Sequence, residues 1–305
     1  MTVYVFGHAN PDTDTITSAI VMSNFERELG STDTIACRLG NINKETKYVL
    51  DYLKIDEPIL IEDIADGSEV ILVDHNNPAE SIKNLNKCNI LKVVDHHRVM
   101  LNTSYPLFYR AEILGSTQTV LYKLYKEYGI KINKTIATLM IAGIVSDTLL
   151  LKSPTTTEED IKIIEELSEI AQIDYREFGL EMLNKGTDLS GLSVEELLYV
   201  DAKKINFRDV KAITNQINTT QINKVMKMKN DFEEGIDIII EDEKIDLYLL
   251  LITDIIKGNS QVIVKGKRSD LFEKSFNVKL KDNTAFIEGL LSRKKQVTPI
   301  MTQNA

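Results

Sequence analysis

His8, Asp12 and Asp14 fall within seven residues, in Gly7-His8-Ala9-Asn10-Pro11-Asp12-Thr13-Asp14-Thr15. Asp74-His75 and Asp95-His96-His97 repeat the pairing of acid and imidazole. Asp147 lies in the otherwise apolar Ala142-Gly143-Ile144-Val145-Ser146-Asp147-Thr148. The chain has four histidines, and all four lie in these clusters. Carboxylates and imidazoles without thiolates suit a divalent ion such as Mn, Co, Zn or Mg. Four aspartates with two histidines are too many ligands for one ion and suffice for two. Two ions roughly 3.5–4 Å apart would share a water, lower its pKa and favour in-line attack on phosphorus. Four ionised aspartates would cancel two divalent cations. A polyanionic substrate would then need further positive charge from Arg or Lys. The run Arg293-Lys294-Lys295 could supply it.

Taken singly, each cluster has a plainer reading. Asp14 or Thr15 could merely cap a helix, Asp147 could be a helix-end carboxylate, and three cations in a row usually form a solvated surface. The elements that must carry these residues argue for a site. Thr2–Phe6 reads as a buried strand and Ile16–Met22 as the start of a helix, so His8, Asp12 and Asp14 lie on the loop between them. Residues 33–38 read as a second strand and 43–54 as a helix. Residues 69–76 and 91–97 read as apolar strands, each ending in Asp-His, with helices between. Alternating β and α predicts a doubly wound, mostly parallel sheet. Its carboxyl edge, where ligands bind, would gather His8, Asp12, Asp14, Asp74, His75, Asp95, His96 and His97. Helices are expected at 116–128, 133–150, 157–171 and 174–185.

The polar, Gly-containing stretch 187–193 reads as a linker between a first domain, 1–186, and a smaller mixed-sheet α/β domain, 194–305. In the latter, strands are expected at 202–207, 210–217, 245–256 and 260–265, and a long helix at 219–241. A helix or turn is expected at 283–291 and a strand at 297–301. The 305 residues suffice for two domains with their own cores. A net charge of −10 argues against a general nucleic-acid binder. The two cysteines, Cys37 and Cys88, are not in a CxxC spacing, which argues against a disulfide framework or a thiolate zinc site. The first strand begins at once, with no basic leader, and the most apolar run, 135–151, carries Asp147 and is short for a membrane span. A cytoplasmic chain with no membrane partner is the expectation.

In order, His8-x-Asn10-Pro11-Asp12-Thr13-Asp14, Val73-Asp74-His75-Asn76, Asp95-His96-His97 and Ser146-Asp147 resemble the four-motif pattern of the DHH phosphoesterase superfamily. Ser292-Arg293-Lys294-Lys295-Gln296 resembles the signature of its family II inorganic pyrophosphatases, the manganese-dependent class. The resemblance implies an active site in the cleft between the domains. It implies that a hydroxide bridging two Mn2+ (Co2+ as an alternative) hydrolyses Mg-pyrophosphate to two phosphates. His8 and Asp12 would hold one ion, Asp14, His96 and Asp147 the other, and Asp74 both. His97 would contact the substrate and Asp95 would orient the histidines. Lys203, Arg293 and Lys294 would bind phosphate. His75 carries over no ligand role and is expected to support the site or the fold. Such enzymes are typically homodimers joined through the first domain. Asn76-Asn77-Pro78 departs from the Asn-Glu that often follows the second motif.

An exopolyphosphatase would share this kind of second domain. The nuclease branch carries a Gly-Gly-Gly-His-type motif there, whereas residues 194–305 contain no histidine. A non-catalytic metal- or nucleotide-binding protein would be expected to have lost a ligand. The interval between Asp74 and Asp95 is too short for a regulatory nucleotide-binding insert.

Overall fold

Val3–Phe6 (β1) is the strand from which the first sheet grows in both directions. The computed structural model describes residues 2–31 and 33–305. These fall into two compact units, Met1–Gly186 and Thr187–Ala305. In the first, β1 is followed by α1 (Thr13–Glu28), β2 (Thr34–Arg38), α2 (Lys44–Leu53) and β3 (Ile59–Leu60). Then come β4 (Glu69–Val73), β5 (Asn89–Asp95), β6 (Phe108–Ala111), α3 (Thr117–Glu127), α4 (Lys134–Thr148), α5 (Glu158–Ala171) and α6 (Tyr175–Gly186). The strand order is β3-β2-β1-β4-β5-β6, and every pairing is parallel. The direction of winding therefore reverses between β1 and β4. A crevice opens at such a switch point beyond the carboxyl ends of the strands. The loops after β1 and β4 carry His8 and Asp74.

One face of this sheet is covered by helices, with α1 packed on β1 and β2 and against α3 and α4. The other face buries Phe6, Leu72 and Val93 under Ile82 and Leu85, with Leu101 and Leu107 alongside. The β4-to-β5 connection, expected to be helical, holds only the short 3-10 turns Pro78–Glu80 and Leu85–Lys87. Asn, Pro and Ser recur too densely there for a helix to propagate. The outer strands β3 and β6 were not expected from the sequence. They are short and partly exposed, so they lack a clean period of two.

The second unit comprises α7 (Val194–Tyr199), β7 (Lys203–Phe207), β8 (Val210–Thr219), α8 (Ile222–Val225), α9 (Lys229–Glu243) and β9 (Leu247–Asp254). It continues with β10 (Asn259–Lys265), α10 (Ser269–Phe276), β11 (Thr284–Glu288) and α11 (Thr298–Asn304). Its sheet runs β11-β10-β9-β8-β7, with β8 and β9 parallel and the other pairs antiparallel. Central β9 is buried throughout, which explains its uninterrupted apolar run. Leu249, Leu251 and Val262 pack with Phe272 and Met301 on one face, and Ile213, Tyr248 and Leu250 with Phe232 and Ile236 on the other.

Three expectations for this unit are corrected. Residues 283–291 contain a strand, β11, which pairs with β10. Residues 297–301 are helical, because Val297 and Met301 are both buried at a spacing of four and Pro299 sits in the first turn, where its missing N–H costs nothing. The long helix expected at 219–241 is two, α8 and α9, joined by the 3-10 turn Met226–Met228. Among the described residues no helix is long and apolar enough to cross a membrane.

Candidate active site

Asp12 ends the loop after β1 as the N-cap of α1, its Oδ1 accepting the Thr15 N–H at 2.9 Å. Asp14 lies fully buried in the first turn of that helix. There it accepts from Ser116 Oγ and from Thr117 N, each at 2.8 Å, so the N-terminus of α3 closes onto it. Gly143 of α4 makes room: a Cβ there would lie 2.4 Å from Asp14 Oδ1. Asp74 follows β4 with φ +57, a left-handed conformation that Asp tolerates better than most residues. Its oxygens accept from Thr15 Oγ1 at 2.5 Å and Thr117 Oγ1 at 3.0 Å. Asp147 stands one residue from the end of α4.

These elements bring the sequence-derived ligands together. His8 Nε2 lies 3.5 Å from both Asp12 Oδ2 and Asp74 Oδ2. His96 Nε2 lies 3.5 Å from Asp74 Oδ1 and 3.2 Å from Asp147 Oδ2. Among the described residues three overlapping groups could each hold an ion, with donor atoms within 4.8 Å of one another: His8, Asp12 and Asp74; Asp14, Asp74, His96 and Asp147; and Asp74, His96 and His97. Asp74 is common to all three.

His96 tests whether these residues suit a cation. Its Nδ1 faces the Leu114 carbonyl at 3.0 Å and must donate to it, so Nε2 is the nitrogen left for an ion. That Nε2 is buried and has no hydrogen-bond partner, while two carboxylates converge on it. A buried polar atom left so demands a partner, and a divalent ion fits both it and the acids. Without an ion, protons take the positive positions. Burial opposes charge on His8, yet Asp12 and Asp74 raise it to about 10. Burial opposes charge on His96 too, and Asp147 and Asp74 raise it to about 12. Burial and then the Asp147 charge push Asp14 well up. Burial, with Asp12 and Asp74 adding to it against the neighbouring His96 imidazole, lifts Asp147 to about 7. Burial also works to raise Asp74, but the two imidazoles hold it well below the usual carboxylate range.

Asp95 is buried and belongs to none of these groups but to a hydrogen-bond network: it accepts from the backbone N–H groups of His96 and His97 at 2.7 and 3.0 Å and from Asn76 Nδ2 at 2.6 Å. It also holds His97 Nδ1 at 2.9 Å, which raises the pKa of that half-exposed imidazole. Asn76, in the departing segment, accepts from Leu101 N at 3.1 Å and so ties that loop down. His75 faces the Val73 carbonyl at 3.1 Å and Ser81 Oγ at 3.0 Å, and buries both nitrogens in structural bonds.

The basic candidates belong to the second unit. Arg293 Nη2 reaches both oxygens of Asp201 at 3.1 Å, and its Nη1 lies 3.4 Å from Thr214 Oγ1. Lys203 is the cross-strand partner of the same Thr214, so Lys203 and Arg293 meet at one position on β8. Lys294 follows Arg293 in sequence and is exposed. The supporting roles of Thr15, Ser116 and Thr117 were not read from the sequence: Thr15 was taken as a possible cap, which Asp12 supplies instead, and Gly115-Ser116-Thr117 signalled only a helix entry.

The sequence profile of the DHH family N-terminal domain matches residues 2–144, and that of the DHHA2 domain matches residues 180–304. The "Manganese-dependent inorganic pyrophosphatase" of Bacillus subtilis strain 168 is 46% identical over 302 residues, covering 98% of this chain and 97% of the relative. The "Probable manganese-dependent inorganic pyrophosphatase" of Staphylococcus haemolyticus strain JCSC1435 is 46% identical over 300 residues, with the same coverage, 98% and 97%. The crystal structure of "Methanococcus jannaschii putative family II inorganic pyrophosphatase" superposes with a TM-score of 0.70 at 39% identity, covering 99% of both chains. An exopolyphosphatase-related protein from Bacteroides fragilis shares the fold, with a TM-score of 0.51 at 17% identity, covering 99% of this chain and 91% of that one. With its aspartate–histidine cluster and 46% identity to the two curated pyrophosphatases over 98% of its length, this chain belongs to the manganese-dependent, family II inorganic pyrophosphatases.

Proposed function

We propose that this chain hydrolyses inorganic pyrophosphate, taken as its Mg2+ complex, to two phosphates, using two Mn2+ ions held by the first unit. One observation carries the reading. Asp74 belongs to every ligand group, with Oδ2 facing His8 and Oδ1 facing His96, as a carboxylate shared by two ions requires. His8 and Asp12 would complete one set, and Asp14, His96 and Asp147 the other. When bound, the two ions supply a water acidic enough to attack phosphorus near neutral pH.

The chain's own residues do the rest. Asp12, Asp14, Asp74 and Asp147 balance the charge of two divalent ions, so the charge of the substrate falls to Lys203, Arg293 and Lys294. These cations bind phosphoryl oxygens and gain strength as negative charge builds in the transition state. Asp95 fixes the His97 ring through Nδ1 and favours its protonated form, which leaves Nε2 to donate to the departing phosphate. The same reading makes the chain a homodimer joined through its first unit. It is supported by β6, an outer strand of the sheet, and by the exposed apolar residues near it in sequence, Val99, Met100, Phe108 and Ile113.

The test is phosphate release from pyrophosphate by protein stripped with chelator and returned to excess Mg2+, with and without trace Mn2+. Fast release that needs trace Mn2+ is expected. Slow release from pyrophosphate with faster release from long polyphosphate would replace the reading by exopolyphosphatase. Release from neither, with Mn2+ still bound, would replace it by a binding function.

A further inference from the structure

Glu45 lies in the first turn of α2 and belongs to none of the ligand groups. Its Oε1 accepts two hydrogen bonds, from Thr13 Oγ1 at 2.6 Å and from Ser146 Oγ at 2.6 Å. Thr13 sits between Asp12 and Asp14 at the start of α1, and Ser146 precedes Asp147 near the end of α4. A single oxygen therefore joins the two helix ends that carry three of the six candidate ligands. Thr46 Oγ1, 3.1 Å from Thr13 Oγ1, adds a second tie from α2 to the same threonine. On its other side the carboxylate is covered by the end of α6, where a Cβ on Gly186 would lie 2.9 Å from Glu45 Oε2. Burial raises the pKa of Glu45 while the Ser146 and Thr13 hydroxyls oppose the rise, so this is a costly place for a carboxylate. Capping does not explain it, since Asn43 already caps α2 through Thr46 N at 2.7 Å.

We propose that Glu45 is a positioning residue of the metal centre: its Oε1 sets the spacing between the helix start bearing Asp12 and Asp14 and the helix end bearing Asp147. The inference rests on the two-ion reading above and adds a residue outside the ligand set. Ligand carboxylates must hold their separation to a fraction of an ångström to share ions, and supporting hydrogen bonds commonly change metal affinity by about 10–100-fold.

The experiment is titration of the full-length, chelator-stripped chain with Mn2+ by calorimetry, checked by the Mn2+ paramagnetic resonance signal. Wild type is compared with Glu45→Ala, Glu45→Gln, Thr13→Val and Ser146→Ala. Glu45→Ala is expected to weaken binding about tenfold or more. Glu45→Gln should stay within about threefold of wild type, because an amide oxygen can still accept from both hydroxyls. Ser146→Ala should weaken binding alone and cost nothing further when added to Glu45→Ala, as two groups acting through one partner must. Wild-type affinity in Glu45→Ala, a loss in Glu45→Gln as large as in Glu45→Ala, or full additivity with Ser146→Ala would each overturn the proposal. If Glu45→Ala does not fold, Ser146→Ala decides: weaker Mn2+ binding with an unchanged metal-free melting temperature supports the proposal, and wild-type binding overturns it. Failure of wild type itself to bind Mn2+ would overturn the two-ion reading and this inference with it, and is distinguished by the wild-type titration alone.

Discussion

Asp74 is the residue on which the site turns. Its left-handed backbone, the bond from its N–H to the Val94 carbonyl at 3.0 Å, and the Thr15 and Thr117 hydroxyls fix both carboxylate oxygens. Asp74→Asn should fold, because Asn tolerates this backbone as well as Asp does. It should nevertheless lose at least one Mn2+ and about three orders of magnitude in kcat, since an amide offers one acceptor where two are used. Metal content and phosphate release check this. The imidazoles add a pH dependence. His8 at about 10 and His96 at about 12 are protonated at neutral pH without metal, and each must lose its proton to ligate. Mn2+ affinity should therefore fall as pH falls, and loading at pH 7 should release protons, measurable by calorimetry in buffers of different ionisation enthalpy. The stability linkage of the metal-free protein has the opposite sense. A folded-state pKa raised above the ordinary 6.5 contributes stability that is complete below 6.5 and is lost as pH rises through 10. Metal-free protein should thus melt at lower temperature at pH 10 than at pH 6.5.

Helix ends carry three of the candidate ligands. Asp14 enjoys the partial positive charge of the α1 N-terminus and of the α3 N–H groups, while Asp147 sits at the negative end of α4, which favours a cation beside it. Three consecutive left-handed residues follow, Leu149, Leu150 and Leu151, with φ of 48, 54 and 64°. Such residues cost of order 1 kcal/mol or more each and persist only where the surroundings impose them. Here the Leu150 N–H returns to the Val145 carbonyl at 2.9 Å and Leu151 N to Thr148 Oγ1 at 3.1 Å, which ends α4 abruptly just after Asp147. Close packing of α4 on α1 is equally tied to the site. In an open helix Gly143→Ala would stabilise by about 1 kcal/mol. Here the new methyl would meet Asp14 Oδ1 at 2.4 Å and Gln118 Cγ at 2.5 Å. The substitution should instead destabilise the protein and weaken Mn2+ binding about tenfold or more. Urea denaturation and metal titration would show either sign.

For the whole molecule, the candidate metal ligands belong to the first unit and Lys203, Arg293 and Lys294 to the second. A fragment of residues 1–186 should bind Mn2+ yet release no phosphate from pyrophosphate, because it lacks every proposed substrate cation. Turnover by the purified fragment would show those cations to be dispensable. The homodimer reading makes a separate demand on the outer strand β6. Ile113, 97% exposed, follows it, so Ile113→Glu should shift the chain to monomer in sedimentation velocity while leaving Mn2+ binding within about twofold.

Local chemistry was legible in the sequence. Apolar strands ending in Asp-His, four histidines all within the acid-bearing clusters, and the Pro-Asp-Thr-Asp turn are contiguous signals, and the structure brings these acids and imidazoles into candidate ligand groups. The alternating pattern likewise sufficed for the parallel sheet, because burial on both faces leaves a strand uniformly apolar. Short outer strands and the helix at 298–304 were not legible, since runs of seven residues or fewer scarcely separate a period of two from one of 3.6. The supports of the site were hidden for a different reason. Ser116 lies 102 positions from Asp14, and Ser146 lies 101 positions from Glu45, so no local pattern links them. A hydroxyl or a carboxylate has no distinctive signal until the fold places it 2.6–2.8 Å from its partner. Residue types and short spacings thus determined which groups are candidates to bind and which strands carry them. Tertiary packing alone decided that Asp74 faces two imidazoles at once and which hydroxyls hold it there, because those contacts join segments that meet only when the helices close on the sheet.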